Sequence, residues 1–392
     1  MMHVDARRVL CHAAHGGVFG IVGAAIRYAL ALAFAQGYGL DVTAKDSALF
    51  VDLPANMLGC FVVALIADGS ALRLHGGKEH ASALFPPTHR IHAHACFWVG
   101  LRAGLCGSLT TFASWNTQMV RMITAPRGVL VARAICGWLL GTQLAASSYA
   151  MGNHAALSIA KYSGHARAWR PPAPPEASSH CADENVCDIK HDDDNNNNNK
   201  KKYSYLVDEL VVGVTFVALW AIAAVGVALN WHPAELWVGC LSAPFGVYLR
   251  VYLARWNAPL SGAYVWQSST LLEAGEGDDG NDNGNDKKWF PWGTFAANII
   301  ASVFDAFMSG AMLQCTTNCE HVLTGLELGL GGSLSTVSTW MADFHLLMNQ
   351  RHGTVARTRA YWYLISTLFV AASLSIAVYA GMRYGWVERT AS

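Results

Sequence analysis

Charged side chains are scarce in this sequence. Asp, Glu, Lys and Arg make up 14% of the 392 residues, whereas hydrophobic residues make up 53%. Soluble domains carry about a quarter charged residues, so the composition argues against a soluble globular protein. The 27 basic and 27 acidic side chains balance, and a net charge of zero gives no indication of a nucleic-acid partner.

The sequence also lacks the motifs of common enzyme classes. We find no nucleophile motif, no metal-ligand spacing and no phosphate-binding loop, and we therefore do not expect an enzyme. The ten cysteines do not form the framework of a secreted disulfide protein. Cys315 and Cys319 lie in a short loop and could pair. Several others lie in apolar runs, where a thiol packs as a small apolar side chain: Cys60, Cys106, Cys136 and Cys240.

Long apolar runs dominate the chain instead. A helix needs about 20 mostly apolar residues to cross the hydrocarbon core of a bilayer. Nine segments meet this requirement and predict an all-α integral membrane protein with nine transmembrane helices: 14–36, 47–68, 94–121, 129–150, 207–229, 236–254, 292–313, 322–348 and 360–382.

Two polar stretches interrupt these spans. Residues 152–205 contain prolines, an acidic run and an asparagine homopolymer, a composition that cannot bury a core and predicts a disordered linker. A second polar insert covers 273–288. We predict a first four-helix repeat at 1–151, then the linker, a linker transmembrane helix at 206–230 and a second four-helix repeat at 231–392.

The two groups of four spans are related in sequence. Residues 104–115 of span three align without gaps to 329–340 of span eight, and seven of the twelve positions are identical. Asn56 of span two matches Asn298 of span seven in the same way. A match of this length in corresponding spans indicates an internal duplication.

The fifth span has no counterpart, and it sets the relative orientation of the repeats. Four spans return the chain to its starting side, so one additional crossing inverts the second repeat, as in transporters whose sites lie at the interface of inverted repeats. Lys and Arg concentrate in the loops that this arrangement places in the cytosol. The positive-inside rule then predicts a cytosolic N-terminus and an extracellular C-terminus.

The duplicated residues permit several roles. Glycines and hydroxyls in the middle of spans three and eight allow a helix break. Two breaks that meet would present backbone carbonyls to a cation. Physical chemistry alone favours the other interpretation, in which the small residues allow close helix packing. Asn56 and Asn298 either bond helices together or line a pathway. Arg27 and the matching Arg250 either snorkel or pair near span ends.

Two further groups leave alternatives open. Phe112, Trp115 and Trp340 either fill the core or turn the positive edge of a ring toward an anion. Asp305 and Glu327 lie within spans. A proton-coupled exporter of small cations or drugs, built from duplicated four-helix units, would need one of these carboxylates as its titratable group.

These residues resemble a known family. The asparagine of span two, the run Gly104-Leu-Cys-Gly-Ser-Leu-Thr-Thr-Phe-Ala-Ser-Trp115 and the pair Arg27-Tyr28 resemble the Fluc/FEX (CrcB-like) fluoride channels, and the two fused copies resemble the eukaryotic FEX form. The resemblance implies a passive, fluoride-selective channel in the plasma membrane that exports fluoride from the cytosol. It implies a monomer that acts as a fused pseudo-dimer, without an organic cofactor.

The resemblance also implies site residues. Asn56 and Asn298 match the pore asparagines, and Phe112 and Trp115 match the phenylalanines of an aromatic box. A structural sodium ion is implied at four backbone carbonyls: Gly107, Thr110, Gly332 and Ser335. The full set of implied pathway residues, followed by three further candidates, is Asn56, Asn298, Phe112, Trp115, Trp340, Thr111, Thr336, Ser366 and Thr367, then Arg27, Arg250 and Asp343.

The two copies depart from the family pattern in different ways. Val337 stands where the second copy should have its first box phenylalanine, and tryptophan replaces the second phenylalanine in both copies. The acidic position of the family is Gln118 in the first copy and Asp343 in the second. We therefore expect two unequal pathways, one of which dominates.

Overall fold

The computed structural model describes residues 6–37, 39–66, 82, 84, 85, 89, 91, 94–163, 194–257, 289–349 and 353–391. Over these residues the chain forms helices joined by turns, and they contain no β-sheet. The chain is an all-α membrane protein, as predicted.

Helices of similar order build the two repeats. The first repeat contains α1 (Ala6–Phe34), α2 (Leu53–Leu65), α3 (Ala95–Val99), α4 (Ala113–Ile123) and α5 (Gly128–Tyr162). After the linker helix α6 (Asp194–Ala228), the second repeat contains α7 (Ala234–Leu253), α8 (Trp292–Met312), α9 (Thr317–Leu326), α10 (Ser338–Met348) and α11 (Gly353–Ala391).

The third and eighth predicted spans are broken helices. α3 continues through π-helical turns at Gly100–Cys106, and the backbone becomes extended at Thr110 before α4 begins. α9 continues in the same way through Glu327–Gly331, and the backbone becomes extended at Ser335. The break that small and hydroxyl residues permit is therefore present in both repeats.

Six of the described helices are long and apolar enough to cross a bilayer: Val9–Phe34, Gly128–Tyr162, Asp208–Ala228, Ala234–Trp256, Trp292–Met312 and Thr354–Gly385. α2 is shorter than the predicted span 47–68, because Pro54 lies in its first turn and residues before Leu53 do not continue the helix. Proline is accommodated at such a helix start because its missing N–H has no intrahelical partner there.

Helices extend into the stretch predicted as a polar linker. α5 continues to Tyr162 and α6 begins at Asp194, so both ends of 152–205 are helical. The centre of that linker and the insert 273–288 lie outside the described residues. Cys315, in the loop between α8 and α9, and Cys319, in the first turn of α9, form a disulfide.

The packing of the helices places both breaks at the centre of the molecule. α1 packs on α7, and each of them packs on the broken span of its own repeat. α4 packs against α8 and α11 of the other repeat, and α10 packs against α2 and α5. The linker helix α6 contacts α1 and α7 at the periphery, and large apolar side chains on its surface such as Leu210 and Val217 remain exposed, as on a lipid-facing helix.

Candidate ion pathway at the repeat interface

Each helix break is capped by a hydroxyl from the other repeat. The Ser335 Oγ accepts hydrogen bonds from the backbone N–H groups of Phe112 (3.2 Å) and Ala113 (3.0 Å) at the start of α4. Thr110 Oγ1 accepts from the N–H groups of Val337 (3.3 Å) and Ser338 (3.2 Å) at the start of α10. The first N–H groups of a helix need such partners, so the two breaks support each other.

Direct hydroxyl contacts continue this exchange. Thr111 Oγ1 lies 3.1 Å from Ser335 Oγ, and Thr110 Oγ1 lies 3.1 Å from Thr336 Oγ1. All four side chains are fully buried. The second contact joins the equivalents of the two residues in the first contact, because Thr336 corresponds to Thr111 and Thr110 to Ser335. Such reciprocal contacts indicate a twofold axis. The duplicated motif therefore folds around a pseudo-twofold axis at the centre of the chain.

The two predicted asparagines hold the breaks open from within their own repeats. Asn56 Nδ2 donates to the Thr111 carbonyl at 3.0 Å, and its Oδ1 accepts from the Thr111 N–H at 2.8 Å. Asn298 binds the Thr336 peptide in the same manner, at 3.1 and 2.7 Å. An unpaired buried peptide group is costly, so each amide replaces helical hydrogen bonds that the break removes.

Two arginines cross between the repeats. Arg27 and Arg250 are 1% and 2% exposed, so neither side chain snorkels to a span end. Arg27 donates to the Leu328 carbonyl of the second repeat, and Arg250 donates to the Ala103 carbonyl of the first. A Cβ built on Gly107 would collide with the Arg250 guanidinium, as would one on Gly332 with Arg27. Glycine is required at both positions because a guanidinium packs on the backbone.

The implied sodium carbonyls lie beside these arginines. Arg250 Nη1 donates to the Ser335 carbonyl at 3.2 Å, so a guanidinium already binds one of the four carbonyls. With Arg27 against Gly332, positive charge lies next to both copies of the motif. A sodium ion held by all four carbonyls does not fit this arrangement, because the Ser335 carbonyl already accepts a hydrogen bond from Arg250. The sodium site stays a prediction.

The three predicted aromatic residues gather with Phe50, which the sequence analysis did not single out, in what we call the aromatic cluster: Phe50, Phe112, Trp115 and Trp340. The ring centroids of Phe112 and Trp340 lie 5.2 Å apart and those of Phe112 and Trp115 lie 5.6 Å apart, both edge to face. Phe50 stacks on Trp115 at 5.1 Å. Residues of both repeats therefore enclose a buried aromatic centre, and Val337, the counterpart of Phe112, is also fully buried.

The two lateral contacts between the repeats differ in chemistry. Where α4 packs on α8 and α11, Asn116 Nδ2 donates to Ser375 Oγ at 3.0 Å, and Ser375 Oγ donates to the Ser302 carbonyl at 3.1 Å. Arg121 pairs with Glu327 at 3.6 Å, and the Ser309 hydroxyl also contacts both side chains. We call this contact the hydrogen-bonded seam.

The opposite contact, where α10 packs on α2 and α5, is mainly aromatic and aliphatic, with His345 of α10 against the ring of Tyr149 of α5. In the register of the repeats, Met341 stands where the first repeat has Asn116, and Ala145 and Cys60 stand where the second has Ser375 and Ser302. These three residues are buried together with Trp340 and Phe344. We call this contact the aromatic seam because the aromatic cluster lies at its centre.

Other predicted residues fall outside these contacts. The hydroxyls of Ser366 and Thr367 donate to the Tyr363 carbonyl one turn back on α11, at 3.1 and 2.7 Å. Asp343 Oδ2 accepts hydrogen bonds from Thr294 (2.8 Å) and Tyr363 (3.3 Å) within the second repeat. The sequence interpretation missed Asn116 and Ser375, although a polar residue in one copy opposite an apolar one in the other was visible in the alignment.

Comparisons with known proteins match both repeats. The sequence profile of the family described as "CrcB-like protein, Camphor Resistance (CrcB)" matches residues 15–152 and 236–382. No solved structure matches the chain.

Two curated proteins are similar to parts of the chain. "Fluoride-specific ion channel FluC 1" of Symbiobacterium thermophilum is 30% identical over 102 residues, which cover 25% of this chain and 73% of that protein. "Fluoride export protein 1" of Candida albicans is 27% identical over 162 residues, which cover 38% of this chain. The match spans 34% of the fungal protein, about a third of its length.

Proposed function

Because the chain belongs to the CrcB-like family, we propose that it is a passive, fluoride-selective channel that exports fluoride from the cytosol. The observation that carries the proposal is the pair of broken helices that cap each other at a buried, aromatic centre. Breaks of this kind in transmembrane helices are tolerated where they line a site or cavity. The names of the two relatives supply the identity of the ion, and the function is transport rather than catalysis.

One pathway dominates in this proposal, and it runs along the aromatic seam. An ion can pass where donors replace its hydration without holding it too tightly. In the hydrogen-bonded seam, the donors of Asn116 and Arg121 are bound to acceptors across the contact, and Glu327 would repel an anion. In the aromatic seam, Asn56 is bound to the Thr111 peptide of its own repeat, and the rings of Phe112 and Trp340 meet edge to face at the centre.

The remaining features of the proposal concern the whole chain. The second repeat is inverted by α6, and the chain acts as a monomeric pseudo-dimer in the plasma membrane with a cytosolic N-terminus and an extracellular C-terminus. A sodium ion at the central carbonyls would require Arg250 to leave Ser335. Fluoride flux that is equal in sodium and in N-methylglucamine buffers would remove sodium from the proposal.

A fluoride electrode tests the function directly. Purified protein in liposomes should release fluoride quickly and independently of a pH gradient, while chloride stays inside. We expect Asn56→Asp and Phe112→Ile to lower the flux more than Asn298→Asp, because Asn56 and Phe112 border the aromatic seam. Equal passage of chloride excludes the fluoride-selective channel, and three variants that conduct like the wild type exclude the assignment of the site.

One observation favours a second candidate function. Asp305 is fully buried, and neither of its carboxylate oxygens has a hydrogen-bond partner among the described residues. A buried carboxylate within a span is typical of proton-coupled transporters, so a proton-coupled exporter of small cations remains the alternative. Asp305→Asn combined with Glu327→Gln would abolish transport by such an exporter, and it would leave fluoride flux through the aromatic seam intact.

A further inference from the structure

Two cysteines meet near the start of α1 and α3, away from the centre of the molecule. The side chains of Cys11 on α1 and Cys96 on α3 contact each other. Cys96 Sγ also lies 3.5 Å from Nδ1 of His12, the residue that follows Cys11 on α1. Both cysteines are free thiols and are partly exposed, so a small reagent can reach them.

The packing of the two helices holds these thiols in register. A Cβ built on Gly100 would lie 2.9 Å from the Cβ of His15, and one built on Gly104 would contact the next turn of α1. Cys11 and Cys96 each lie four residues, about one turn, before the first of these contacts. Glycine therefore brings the helices together one turn away from the thiols. A disulfide needs such close helices, because its two Cβ atoms lie about 3.8 Å apart.

The second repeat makes the same cross-helix contact with different side chains. In the register of the repeats, Glu235 is the equivalent of His12 and His321 is the equivalent of Cys96. His321 Nδ1 lies 3.1 Å from Glu235 Oε2. An alanine takes the place of Cys11 in this copy. The contact is therefore a property of the fold, and a pair of thiols occupies it in the first repeat alone.

The side chains around the pair favour redox chemistry. Among the residues that the structure describes, no group of three or more His, Cys, Asp or Glu side chains could hold a metal ion. His12 Nδ1 lies 3.5 Å from Cys96 Sγ, and His15 Nδ1 lies 3.7 Å from Cys11 Sγ. The thiolate is the reactive form of cysteine, and a neighbouring histidine favours it. Each thiol thus has an imidazole beside it and a second thiol in contact.

We propose that Cys11 and Cys96 are a reversible redox pair, which hydrogen peroxide converts to a disulfide that joins α1 to α3. One thiolate attacks a peroxide oxygen, which gives a sulfenic acid and a hydroxide ion that takes up a proton to become water. The second thiol loses its proton and attacks the sulfenic sulfur, so that the S–S bond forms and a second water molecule leaves. The pair loses two electrons and two protons, and the peroxide is reduced to water.

The position of the pair suits a reversible step. In the proposed orientation Cys11 and Cys96 lie at the cytosolic end of the chain, where thiols are kept reduced. The disulfide of Cys315 and Cys319 lies on the opposite, extracellular side. Peroxide that enters the cytosol would therefore change the first pair and leave the second as it is. This inference does not depend on the ion that the protein transports.

Peptide mapping of the full chain tests the disulfide. The purified protein in detergent is reduced, treated with hydrogen peroxide and run on a non-reducing gel, and the monomer band is digested with trypsin. Cys11 and Cys96 each lie in a tryptic peptide without another cysteine, 9–27 and 91–102. Peroxide should join these two peptides, with a mass that is lower than their sum by two hydrogens, and dithiothreitol should separate them.

Single substitutions are the controls for this measurement. Cys11→Ser and Cys96→Ser each remove one thiol and should abolish the joined peptide. Cys136→Ser removes an exposed thiol of α5 and should leave its yield unchanged. The inference is wrong if the joined peptide is absent from the oxidised wild type. It is also wrong if, in Cys11→Ser, the Cys96 thiol forms a disulfide with another cysteine in equal yield.

Thermal unfolding measures the consequence of the disulfide. Cys11 and Cys96 are far apart in the chain, and a disulfide that closes a long loop restricts the unfolded state more than one that closes a short loop. Peroxide should raise the melting temperature of the wild type in detergent by several degrees, and dithiothreitol should reverse the rise. Cys96→Ser should show no rise. A rise of equal size in Cys96→Ser would assign the effect to other groups and contradict the proposal.

Discussion

The two seams between the repeats are built from equivalent helices and yet differ in almost every contact. In the hydrogen-bonded seam, Asn116, Ser375 and Ser302 form a chain of hydrogen bonds that joins the repeats. In the aromatic seam the equivalent positions are Met341, Ala145 and Cys60. A duplicated chain can change its two interfaces independently, so one interface can take over a structural role while the other retains transport.

Charge separates the seams most clearly. Asp305 lies buried on α8, and the equivalent position on α2 is Val63. Glu327 lies on the same side as Asp305, and the equivalent residue is Arg102. An anion that passes through a low-dielectric region is strongly repelled by a nearby carboxylate. In our proposal fluoride therefore passes along the aromatic seam, where the one carboxylate of α10, Asp343, is bound by the hydroxyls of Thr294 and Tyr363. Each part of the contrast can be tested by exchanging residues between the repeats.

The largest effect should come from moving the carboxylate. Val63→Asp places a negative charge in the aromatic seam. At about 6 Å and an effective dielectric constant of about 20, two unit charges repel by about 3 kcal/mol, which is a factor of roughly 100 in rate. Fluoride efflux from liposomes should fall by that factor, and Asp305→Val should leave it within about twofold of the wild type.

Val63→Asn controls for shape and polarity, because it has the size of aspartate without the charge. We expect it to conduct at least ten times faster than Val63→Asp, with both variants eluting as monodisperse protein. The opposite pattern, in which Val63→Asp conducts normally and Asp305→Val does not, would assign the pathway to the hydrogen-bonded seam.

A smaller effect should follow from making the two copies alike at the aromatic box. Phe112→Val gives the first copy the residue of the second and removes two edge-to-face contacts. Contacts of this kind contribute about 0.5–1.5 kcal/mol each. The loss of two, about 2 kcal/mol at the middle of that range, should lower fluoride efflux by roughly 30-fold.

The reverse exchange is the control. Val337→Phe adds a ring to the apolar core that Val337 shares with the aromatic cluster. Because the first copy already supplies Phe112 there, the flux should not rise. A gain of severalfold in Val337→Phe would mean that the absence of this ring alone keeps a second pathway closed.

Some features of this structure can be predicted from the sequence alone. The apolar spans and the duplication follow from composition and from the aligned motif. The helix breaks do not, because the chemistry of small residues alone favours close helix packing. Asn56 and Asn298 were recognised as needing partners, since a buried amide always does. The sequence does not identify the partner of each amide. In the structure, Asn56 binds the peptide at the Thr111 break, and Asn298 binds the peptide at the Thr336 break.

The cross-repeat contacts could not be predicted in the same way. Asn116 and Ser375 are 259 positions apart, and their meeting depends on the rotation and height of two helices that no local pattern determines. Arg27 and Arg250 were expected at span ends, whereas each reaches the carbonyls of the opposite repeat. A long side chain can reach a backbone carbonyl that is several ångströms away. Here the acceptors are the carbonyls of Leu328 and Ala103, in the π-helical turns of the opposite repeat.

The smallest effect should come from the ion pair of the hydrogen-bonded seam, and it should appear in stability rather than in flux. Arg121 and Glu327 have side chains that are 40% and 16% exposed, so Arg121→Gln leaves a mostly buried carboxylate with the Ser309 hydroxyl as its remaining partner. We expect the free energy of unfolding to fall by about 1 kcal/mol, measured as a melting temperature lower by a few degrees in detergent.

The matched control is Arg133→Gln. Arg133 and Asp46 form an ion pair whose side chains are 48% and 68% exposed, and such exposed pairs contribute little to stability. Fluoride efflux should be unchanged in both variants, since neither side chain borders the aromatic seam. If Arg121→Gln lowers the flux while the melting temperature stays constant, then Arg121 acts on the ion, and the division between a structural seam and a conducting seam does not hold.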